Sequence, residues 1–447
     1  MTTWALYKTQ TLIADGTLEI GDGYRAKNSE MGASGIPFIR AGDVNGRVNS
    51  IGTDLLSFES VEKVGRKRSK AGDIVITTKG TIGRMAIVLE DDPEFIYSPQ
   101  LCYWRSLDVE KIHPRWLFYA LQSNEMKEQM SWSSGQTDMA PYISLTDQRT
   151  AFKITLPKIK EQREIAAILG ALDDKIELNR KTAATLEEMA RALYRSWFVD
   201  FDPVHARSQG LPPAHMDHPT AALFPDSFGD DGLPEGWTRQ SLRDISKVIS
   251  KGTTPRKNEL AGIDQSAQVN FLKVNAMTDG REIKRNSIDR IPSSIHLGSL
   301  KRSILHFGDV LFSIAGTIGR TSIVEAELLP CNCNQAVAFI RPQDWVPSAF
   351  MWAALNTPEV KGGMLEGVVH AVQANLSLKQ IGDTEITLPP PDRLEKMFSS
   401  ISTLIELSTQ KDRENQTLAT LRDTLLPRLM SGELRVGDAR DQIKEAL

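Results

Sequence analysis

Two long stretches of the chain repeat their apolar side chains at alternating spacings of three and four residues. A stripe with a period of 3.5 residues is the pattern of a coiled-coil seam. Polar seam residues weaken the apolar contact but can fix its register. The pattern predicts two helices of about 40 residues, each about 60 Å long, that pair antiparallel as a scaffold. The seam positions are Ile165, Leu169, Leu172, Ile176, Asn179, Ala183, Leu186, Ala190, Leu193 and Trp197 in the first helix, and Met397, Ile401, Leu404, Ser408, Lys411, Asn415, Leu418, Arg422, Leu425 and Leu429 in the second.

A region of mixed character precedes each predicted helix. Short β-branched runs at 73–78 and 309–314 predict strands, and glycine-rich turns interrupt them. Short helices that contain 125–127 and 359–361 are expected to follow 116–121 and 350–355. The expected fold class is therefore α+β, with two mixed α/β domains joined by two long helices.

The two mixed regions are copies of one another. Residues 72–88 match residues 308–324 without a gap at an offset of 236, and Gly-Thr-Ile-Gly-Arg is identical in both. Residues 37–40 match 270–273, and 143–145 match 376–378, both at an offset of 233; residues 154–157 match 386–389 at an offset of 232. Matches in one order at nearly one offset indicate an internal repeat. Antiparallel pairing of its two helices predicts a pseudo-twofold axis.

The repeat suggests a division of the chain. We expect a first mixed domain over 1–156, a helical region over 157–200 and a linker over 201–236. A second mixed domain follows over 237–389, with a second helical region over 390–434 and a tail over 435–447. The linker contains His205, His215 and His218, which we interpret as exposed side chains rather than metal ligands.

Charge is distributed unevenly along the chain. The net charge is −4, yet residues 1–156 carry 18 basic against 19 acidic side chains, and residues 237–388 carry 17 against 14. The excess of acid lies mainly in the helices and linker, so neutral to mildly basic mixed domains permit binding to DNA. A pseudo-dimer on a fixed spacer would read two half-sites. Because the two domains differ in sequence, the half-sites should differ as well.

Motifs for several kinds of chemistry are missing from the sequence. It contains no Gly-x4-Gly-Lys-Ser/Thr phosphate loop, no dinucleotide-binding glycine fingerprint and no Asn/Asp-Pro-Pro-aromatic methyltransferase motif. A metal-dependent nuclease remains an alternative, because Asp344 with Glu359-Val-Lys361, and Asp108 with Glu125-Met-Lys127, fit an Asp…Glu-x-Lys pattern. A coiled-coil scaffold without DNA specificity is a third reading.

Three cysteines, Cys102, Cys331 and Cys333, suit a reducing compartment better than a disulfide framework, and we expect small buried or half-buried thiols. No run of about 18 uncharged apolar residues is present, and the amino terminus lacks a basic segment followed by an apolar run. We therefore expect a cytoplasmic protein.

Several motifs resemble the specificity (S) subunit of type I restriction-modification systems. The helix at 161–180 is similar to the central conserved region of that family. The segments at 197–204, 223–228 and 233–237 resemble the passage into its second recognition domain, and Gly252-Thr-Thr-Pro255 and 425–434 also fit. The first domain departs from the pattern, because Gly21-Asp-Gly-Tyr-Arg-Ala-Lys27 is the nearest equivalent of the Gly-Thr-Thr-Pro segment.

This resemblance implies a non-catalytic subunit with two target-recognition domains that bind a split, asymmetric sequence in double-stranded DNA. It implies two methyltransferase subunits as partners and, in the endonuclease form, two restriction-translocase subunits. S-adenosylmethionine, ATP and Mg²⁺ would belong to those partners, so no cofactor, metal site or catalytic residue is expected in this chain.

Base edges are read mainly by Arg, Lys, Asn and Gln, and phosphates are held by basic side chains and by backbone amides near glycine. The repeated turn suits phosphate binding, although a purely structural turn after a strand would look the same. The candidate DNA-binding residues are Lys67, Arg68, Gly80, Thr81, Arg84, Gln136 and Thr137 in the first domain, and Lys251, Arg256, Lys257, Lys301, Arg302, Gly316, Thr317, Arg320, Gln373 and Asn375 in the second.

Overall fold

The computed structural model describes residues 4–135, 141–256, 259, 268–366 and 375–446. The chain divides into two compact units. One comprises Met1–Glu177 with Asn415–Leu447, and the other comprises Leu178–Glu414. Each unit contains one mixed domain and a part of each long helix.

The first unit is built on an antiparallel four-stranded sheet in the order β2-β11-β8-β9. A smaller sheet of order β10-β4-β7-β3 includes one parallel pair, between β4 and β10, and β1 pairs with β12. The strands are β1 Ala5–Lys8, β2 Leu18–Asp22, β3 Met31–Gly32, β4 Ile36–Ile39, β5 Val44–Asn45, β6 Arg47–Val48, β7 Leu55–Leu56, β8 Ile74–Thr77, β9 Met85–Ile87, β10 Ile96–Tyr97, β11 Leu101–Ser106 and β12 Lys153–Leu156. The helices are α1 Thr9–Ala14, α2 Phe58–Val61, α3 Pro114–Leu121, α4 Asn124–Ser134, α5 Leu145–Thr150 and α6 Ile159–Phe198, the last shared with the second unit.

The second unit repeats this framework. Its main sheet has the order β14-β20-β17-β18, which is the order of the first sheet in equivalent strands, and β13 pairs with β21 as β1 does with β12. The strands are β13 Thr238–Ser241, β14 Ser246–Lys251, β15 Gln268–Leu272, β16 Asp289–Pro292, β17 Val310–Ser313, β18 Thr321–Ile323, β19 Cys331–Cys333, β20 Val337–Pro342 and β21 Glu385–Leu388. The helices are α7 Asp202–Ser208, α8 His218–Ala221, α9 Ser293–Leu297, α10 Ser348–Leu355, α11 Pro358–Glu366, α12 Leu378–Asp383 and α13 Pro391–Met430, and α14 Val436–Ala446 lies in the first unit.

The two long helices, α6 and α13, pair antiparallel as the 3.5-residue stripe predicts. In the first unit, Leu169 near the start of α6 shares a core with Leu425 near the end of α13. In the second unit, Tyr194 near the end of α6 shares a core with Met397 near the start of α13. The sheets and the short helices pack on the same cores, so each mixed domain is anchored on its own portion of the helix pair.

A charged cluster interrupts the seam in the second unit. Glu187 is buried at the seam and accepts a hydrogen bond from Ser408 Oγ at 3.2 Å. Arg281 is buried beside it, 3.9 Å from both Glu187 and Asp412, and its Nη1 donates to Glu325 at 3.2 Å. The helical stripe predicted polar residues at the seam but not a buried carboxylate, because the compensating cation comes from the mixed domain.

The segment predicted as a linker contains two short helices, α7 and α8. It also contributes Val204 and Phe224 to the core of the second unit, where Phe224 packs edge-on against Trp197 at 5.7 Å between ring centroids. Two of its six prolines, Pro203 and Pro219, lie in the first turn of these helices, where the ring interrupts no hydrogen bond. Both helices are short, and the segment has no periodic pattern that would have predicted them. Across the described ranges, no helix combines the length and apolar character needed to span a bilayer.

Candidate nucleic-acid interface

The repeated Gly-Thr-Ile-Gly-Arg segment forms an exposed hairpin turn that a buried hydroxyl holds closed. In the first unit, Thr77 Oγ1 donates to the carbonyl of Thr81 at 2.6 Å and accepts from the amide of Arg84 at 2.9 Å. In the second unit, Ser313 Oγ makes the same two bonds with Thr317 and Arg320, at 2.6 and 2.7 Å. The hydroxyl at the end of the strand therefore fixes the turn in both copies.

Glycine is required at both ends of this turn. Gly80 and Gly83 have φ of +78° and +81°, and their counterparts Gly316 and Gly319 have +73° and +90°. Backbone in this left-handed region strains any residue with a Cβ atom. The exposed backbone between the two glycines is available to a phosphate, and the same geometry serves a structural turn equally well.

The arginine that ends the turn has different surroundings in the two units. Arg320 donates from Nε to Asp279 at 2.8 Å and from Nη1 to the carbonyl of Met277 at 3.0 Å. Arg84 instead lines a cleft of about 490 Å³ together with Lys127. For Arg84, no side-chain hydrogen bond or ion pair is found among the residues that the structure describes.

At the end of each hairpin opposite the turn lies a buried ion pair that the sequence motifs did not reveal. Asp73 accepts two hydrogen bonds of 2.6 Å from Arg105, and Asp309 accepts two of 2.8 Å from Arg341. Both aspartates are fully buried. Both residues of the pair repeat at the offset of 236. The sequence signal for the ion pair was therefore a Gly-Asp before β8 and β17, together with an arginine in the strand that pairs with each of them.

Asp73 has one contact that its counterpart lacks. The Tyr97 hydroxyl donates to Asp73 Oδ2 at 2.6 Å, whereas a cysteine, Cys333, occupies the matching position in the second unit. Burial, and then the charge of Asp73, raise the pKa of Tyr97 well above its usual value, so the phenol stays protonated and donates.

The structure identifies the counterpart of the Gly-Thr-Thr-Pro segment. A Cβ atom on Gly252 would lie 2.0 Å from the carbonyl oxygen of Cys333, and one on Gly23 would lie 1.8 Å from that of Ser98. The amides of Gly23 and Gly252 donate to Leu101 and Val337, which match at an offset of 236. Gly23 is therefore the equivalent of Gly252, within the segment Gly21–Lys27 that the sequence suggested.

Other candidate residues are dispersed over the surfaces of the two units. Lys67 forms an ion pair with Asp22 at 2.9 Å, and Arg68 forms a bidentate pair with Glu94 at 2.8 and 2.6 Å, so both contact carboxylates of their own domain. The remaining candidate residues that the structure describes in the second unit are exposed. They are Lys251 at the end of β14, Arg256 in the loop after it, Lys301 and Arg302 in a 3-10 turn, and Asn375, which forms a β-bridge with Ala315 beside the repeated turn. Gln136, Thr137, Lys257 and Gln373 lie outside the described residues.

The carboxylates of the nuclease alternative contact basic or hydroxyl side chains. Asp344 pairs with Lys247, Glu359 pairs with Arg195 at 3.0 Å, and Glu125 accepts from Thr155 Oγ1 at 3.3 Å. Within the ranges covered by the structure, no group of three or more His, Cys, Asp or Glu side chains is arranged to hold a metal ion. The three cysteines are buried free thiols, as expected.

Comparison with known proteins places this repeated framework in a family. The family model for the type I restriction modification DNA specificity domain matches twice, over residues 18–188 and 234–419. The HindI specificity subunit of Haemophilus influenzae is 26% identical over 445 residues, covering 89% of this chain and 94% of that protein. The MjaIX specificity subunit of Methanocaldococcus jannaschii is 24% identical over 396 residues, covering 87% and 83%. A crystal structure of the S subunit of a type I restriction-modification system from M. genitalium aligns over 95% of this chain and 96% of that one, with 16% identity and a TM-score of 0.48. The chain belongs to the family of type I restriction-modification specificity subunits.

Proposed function

We propose that each mixed domain of this specificity subunit reads one half of a bipartite, asymmetric target in double-stranded DNA. The observation that carries the proposal is the repeat of an exposed turn on an equivalent framework, with different side chains around it. Phosphate contacts position a protein on DNA, whereas base contacts specify the sequence. A shared turn suits the common phosphate backbone, and divergent surroundings suit two different half-sites.

The helical regions would set the distance between the half-sites and dock two methyltransferase subunits. An antiparallel pair of 40-residue helices, α6 and α13, is a suitable scaffold, because such a helix is about 60 Å long and resists bending. The buried seam residues leave the outward faces of both helices for protein partners.

The chain itself would have no catalytic role in this complex. S-adenosylmethionine and ATP with Mg²⁺ would be bound by the methyltransferase and restriction-translocase subunits, with two copies of the latter completing the endonuclease. The hydrogen bonds and ion pairs of Glu125, Glu359 and Asp344 support this assignment, since each carboxylate is already satisfied within its own unit.

Methylome sequencing of the host with and without the gene tests the proposal. We expect one bipartite methyladenine motif to disappear with the gene, and an unchanged methylome would contradict the proposal. Replacing residues 1–156 by the equivalent segment of another family member should change one half of that motif and leave the other half intact.

The nuclease alternative is tested separately. The variants Glu125→Ala and Glu359→Ala should leave DNA cleavage by the assembled complex unchanged. Normal DNA binding with loss of cleavage in either variant would instead place a nuclease centre in this chain.

A further inference from the structure

The two arginines that end the repeated turns differ in what a neighbouring hairpin offers them. Asp279, whose carboxylate pairs with Arg320, follows Phe271 by eight residues, and Gly46 follows Phe38 by the same eight residues. The hairpin of the first unit has Gly46 alone at its tip, whereas that of the second has the three residues 279–281, which bring in the carboxylate of Asp279. Gly46 lines the same cleft as Arg84, so this hairpin brings no carboxylate to the cleft.

The cleft beside Arg84 is lined by cationic and hydrogen-bonding side chains. Its polar lining includes Asn45, Gln122, Lys127 and Ser131, and its apolar lining includes Met130. Among the lining residues that the structure describes, none is Asp or Glu. Lys127, like Arg84, has no ion pair within the part of the chain that the structure covers. Two positive charges thus face one open cleft, and its described lining offers them no counter-charge.

The equivalent side chains of the second unit lie against residues of their own domain. Lys361, the counterpart of Lys127 at an offset of 234, lies over Gly319, where a Cβ atom would come within 2.6 Å of its Cε. Asn356, the counterpart of Gln122, donates to Thr321 Oγ1 at 2.7 Å. Arg320, through its pairing with Asp279, thus has the carboxylate partner that Arg84 lacks among the described residues.

The geometry points to a DNA phosphate-binding cleft that is active in the first domain alone, with Arg84 and Lys127 as the phosphate ligands. In the second domain, Asp279 takes the place of the phosphate. A phosphodiester fits the first cleft because it offers anionic oxygens to the two cations and to the amide and hydroxyl donors beside them. The apolar lining suits the sugar carbons. The inference deepens the proposed function and rests on it, since it assigns unequal electrostatic contributions to the two half-sites.

The salt dependence of DNA binding measures this inequality. Each phosphate neutralised by a basic side chain contributes about −0.9 to the slope of log K against log salt concentration. Loss of one contact therefore reduces the change in Kd between 50 and 200 mM salt by about 3.5-fold. We expect this reduction for Arg84→Gln and for Lys127→Gln, with unchanged base preference. The matched control, Arg320→Gln, should keep the wild-type slope, and Asp279→Asn should make it steeper because it frees Arg320.

The experiment uses the full chain in complex with its methyltransferase partner. Fluorescence anisotropy would measure binding to a 40-base-pair duplex carrying the motif found by methylome sequencing, and to a duplex with that motif scrambled. Failure of the wild-type complex to prefer the motif would count against the proposed function. With that preference present, equal slopes for Arg84→Gln and Arg320→Gln, or an unchanged slope for Asp279→Asn, would overturn the inference. An unchanged slope with weaker assembly of the complex would show that the cleft binds a partner's carboxylate instead, which also overturns it.

Discussion

Replacement of Asp73 by asparagine tests whether the buried ion pair at the start of β8 is needed for the stability of the first unit. The substitution keeps the shape of the side chain and removes its charge. Arg105, with a side chain only 6% exposed, then keeps only Glu19, whose Oε2 lies 3.6 Å from its Nη1, as a counter-charge. Tyr97 and the amide of Lys70, which donate to Asp73 at 2.6 and 2.8 Å, lose an ionised acceptor as well.

Breaking a buried pair from one side costs about 3–5 kcal/mol, because the remaining charge cannot return to water. The matched variant, Asp309→Asn, should cost less, about 2–3 kcal/mol. Its partner Arg341 is 23% exposed, so water can solvate part of the guanidinium, and no tyrosine donates to this aspartate among the described residues. Asp73→Asn should therefore destabilise its unit more than Asp309→Asn destabilises the other.

Hydrogen exchange followed by mass spectrometry resolves the two effects, since a chain with two units need not unfold in one step. We expect the exchange free energy of Ile74–Thr77 to fall by about 3–5 kcal/mol in Asp73→Asn, with Val310–Ser313 unchanged. A fall below about 1 kcal/mol, the value of an ordinary hydrogen bond, would refute the reasoning. The double variant Asp73→Leu with Arg105→Met removes both charges and should regain most of the lost stability. If this double variant is no more stable than Asp73→Asn, the loss comes from altered packing and not from an unpaired charge.

Three further predictions concern the pH dependence of stability, the turn and the thiols. Burial raises the pKa of Asp412 to about 7, so between pH 5 and pH 7 the folded chain keeps a proton that the unfolded chain releases. The stability of the second unit, measured as the urea midpoint at each pH, should therefore fall by up to about 2.5 kcal/mol between pH 5 and pH 8. Asp412→Asn should make this pH dependence smaller. Thr77→Val and Ser313→Ala remove the hydroxyl that accepts a hydrogen bond from the amide of Arg84 or Arg320. Each variant should lower the free energy of hydrogen exchange in its turn by about 1–3 kcal/mol. Equal protection in variant and wild type would show that the hydroxyl is dispensable. Burial raises the pKa of Cys102 and of Cys331 to about 12, so a disulfide reagent at pH 8 should label the folded chain at least about 100-fold more slowly than the urea-unfolded chain, and rapid labelling would contradict their burial.

The long helices were predictable because one physical requirement determines their pattern. A helix that buries one narrow face against another must place apolar residues every 3.5 positions, and the sequence does so over both helices. Glu187 was not predictable on this basis. A carboxylate is tolerated at the seam only because Arg281 and Ser408 contact it, and Arg281 lies almost a hundred residues further along the chain. Periodicity describes the neighbours within a helix and contains no information about such a distant partner.

The repeat predicted the turn but not the surroundings of its arginines. Gly80, Gly83 and Arg84 match their counterparts without a gap, because the hairpin needs two left-handed residues at fixed places and an amide that bonds to the strand hydroxyl. The offset changes by three residues between this turn and the hairpin that contains Gly46 and Asp279, so no local alignment joins them.

The charge that decides whether the arginine of the turn is available to DNA therefore comes from a different part of each domain. The backbone requirement of the turn fixes where the arginine is placed, whereas the neighbouring hairpin fixes whether it already has a partner. A duplicated domain can in this way keep one framework in both copies and still change how each copy binds, by changing an exposed hairpin such as the one that contains Gly46 or Asp279. Side chains next to the repeated turn, rather than the turn itself, are then the positions at which differences between the two half-sites should be sought.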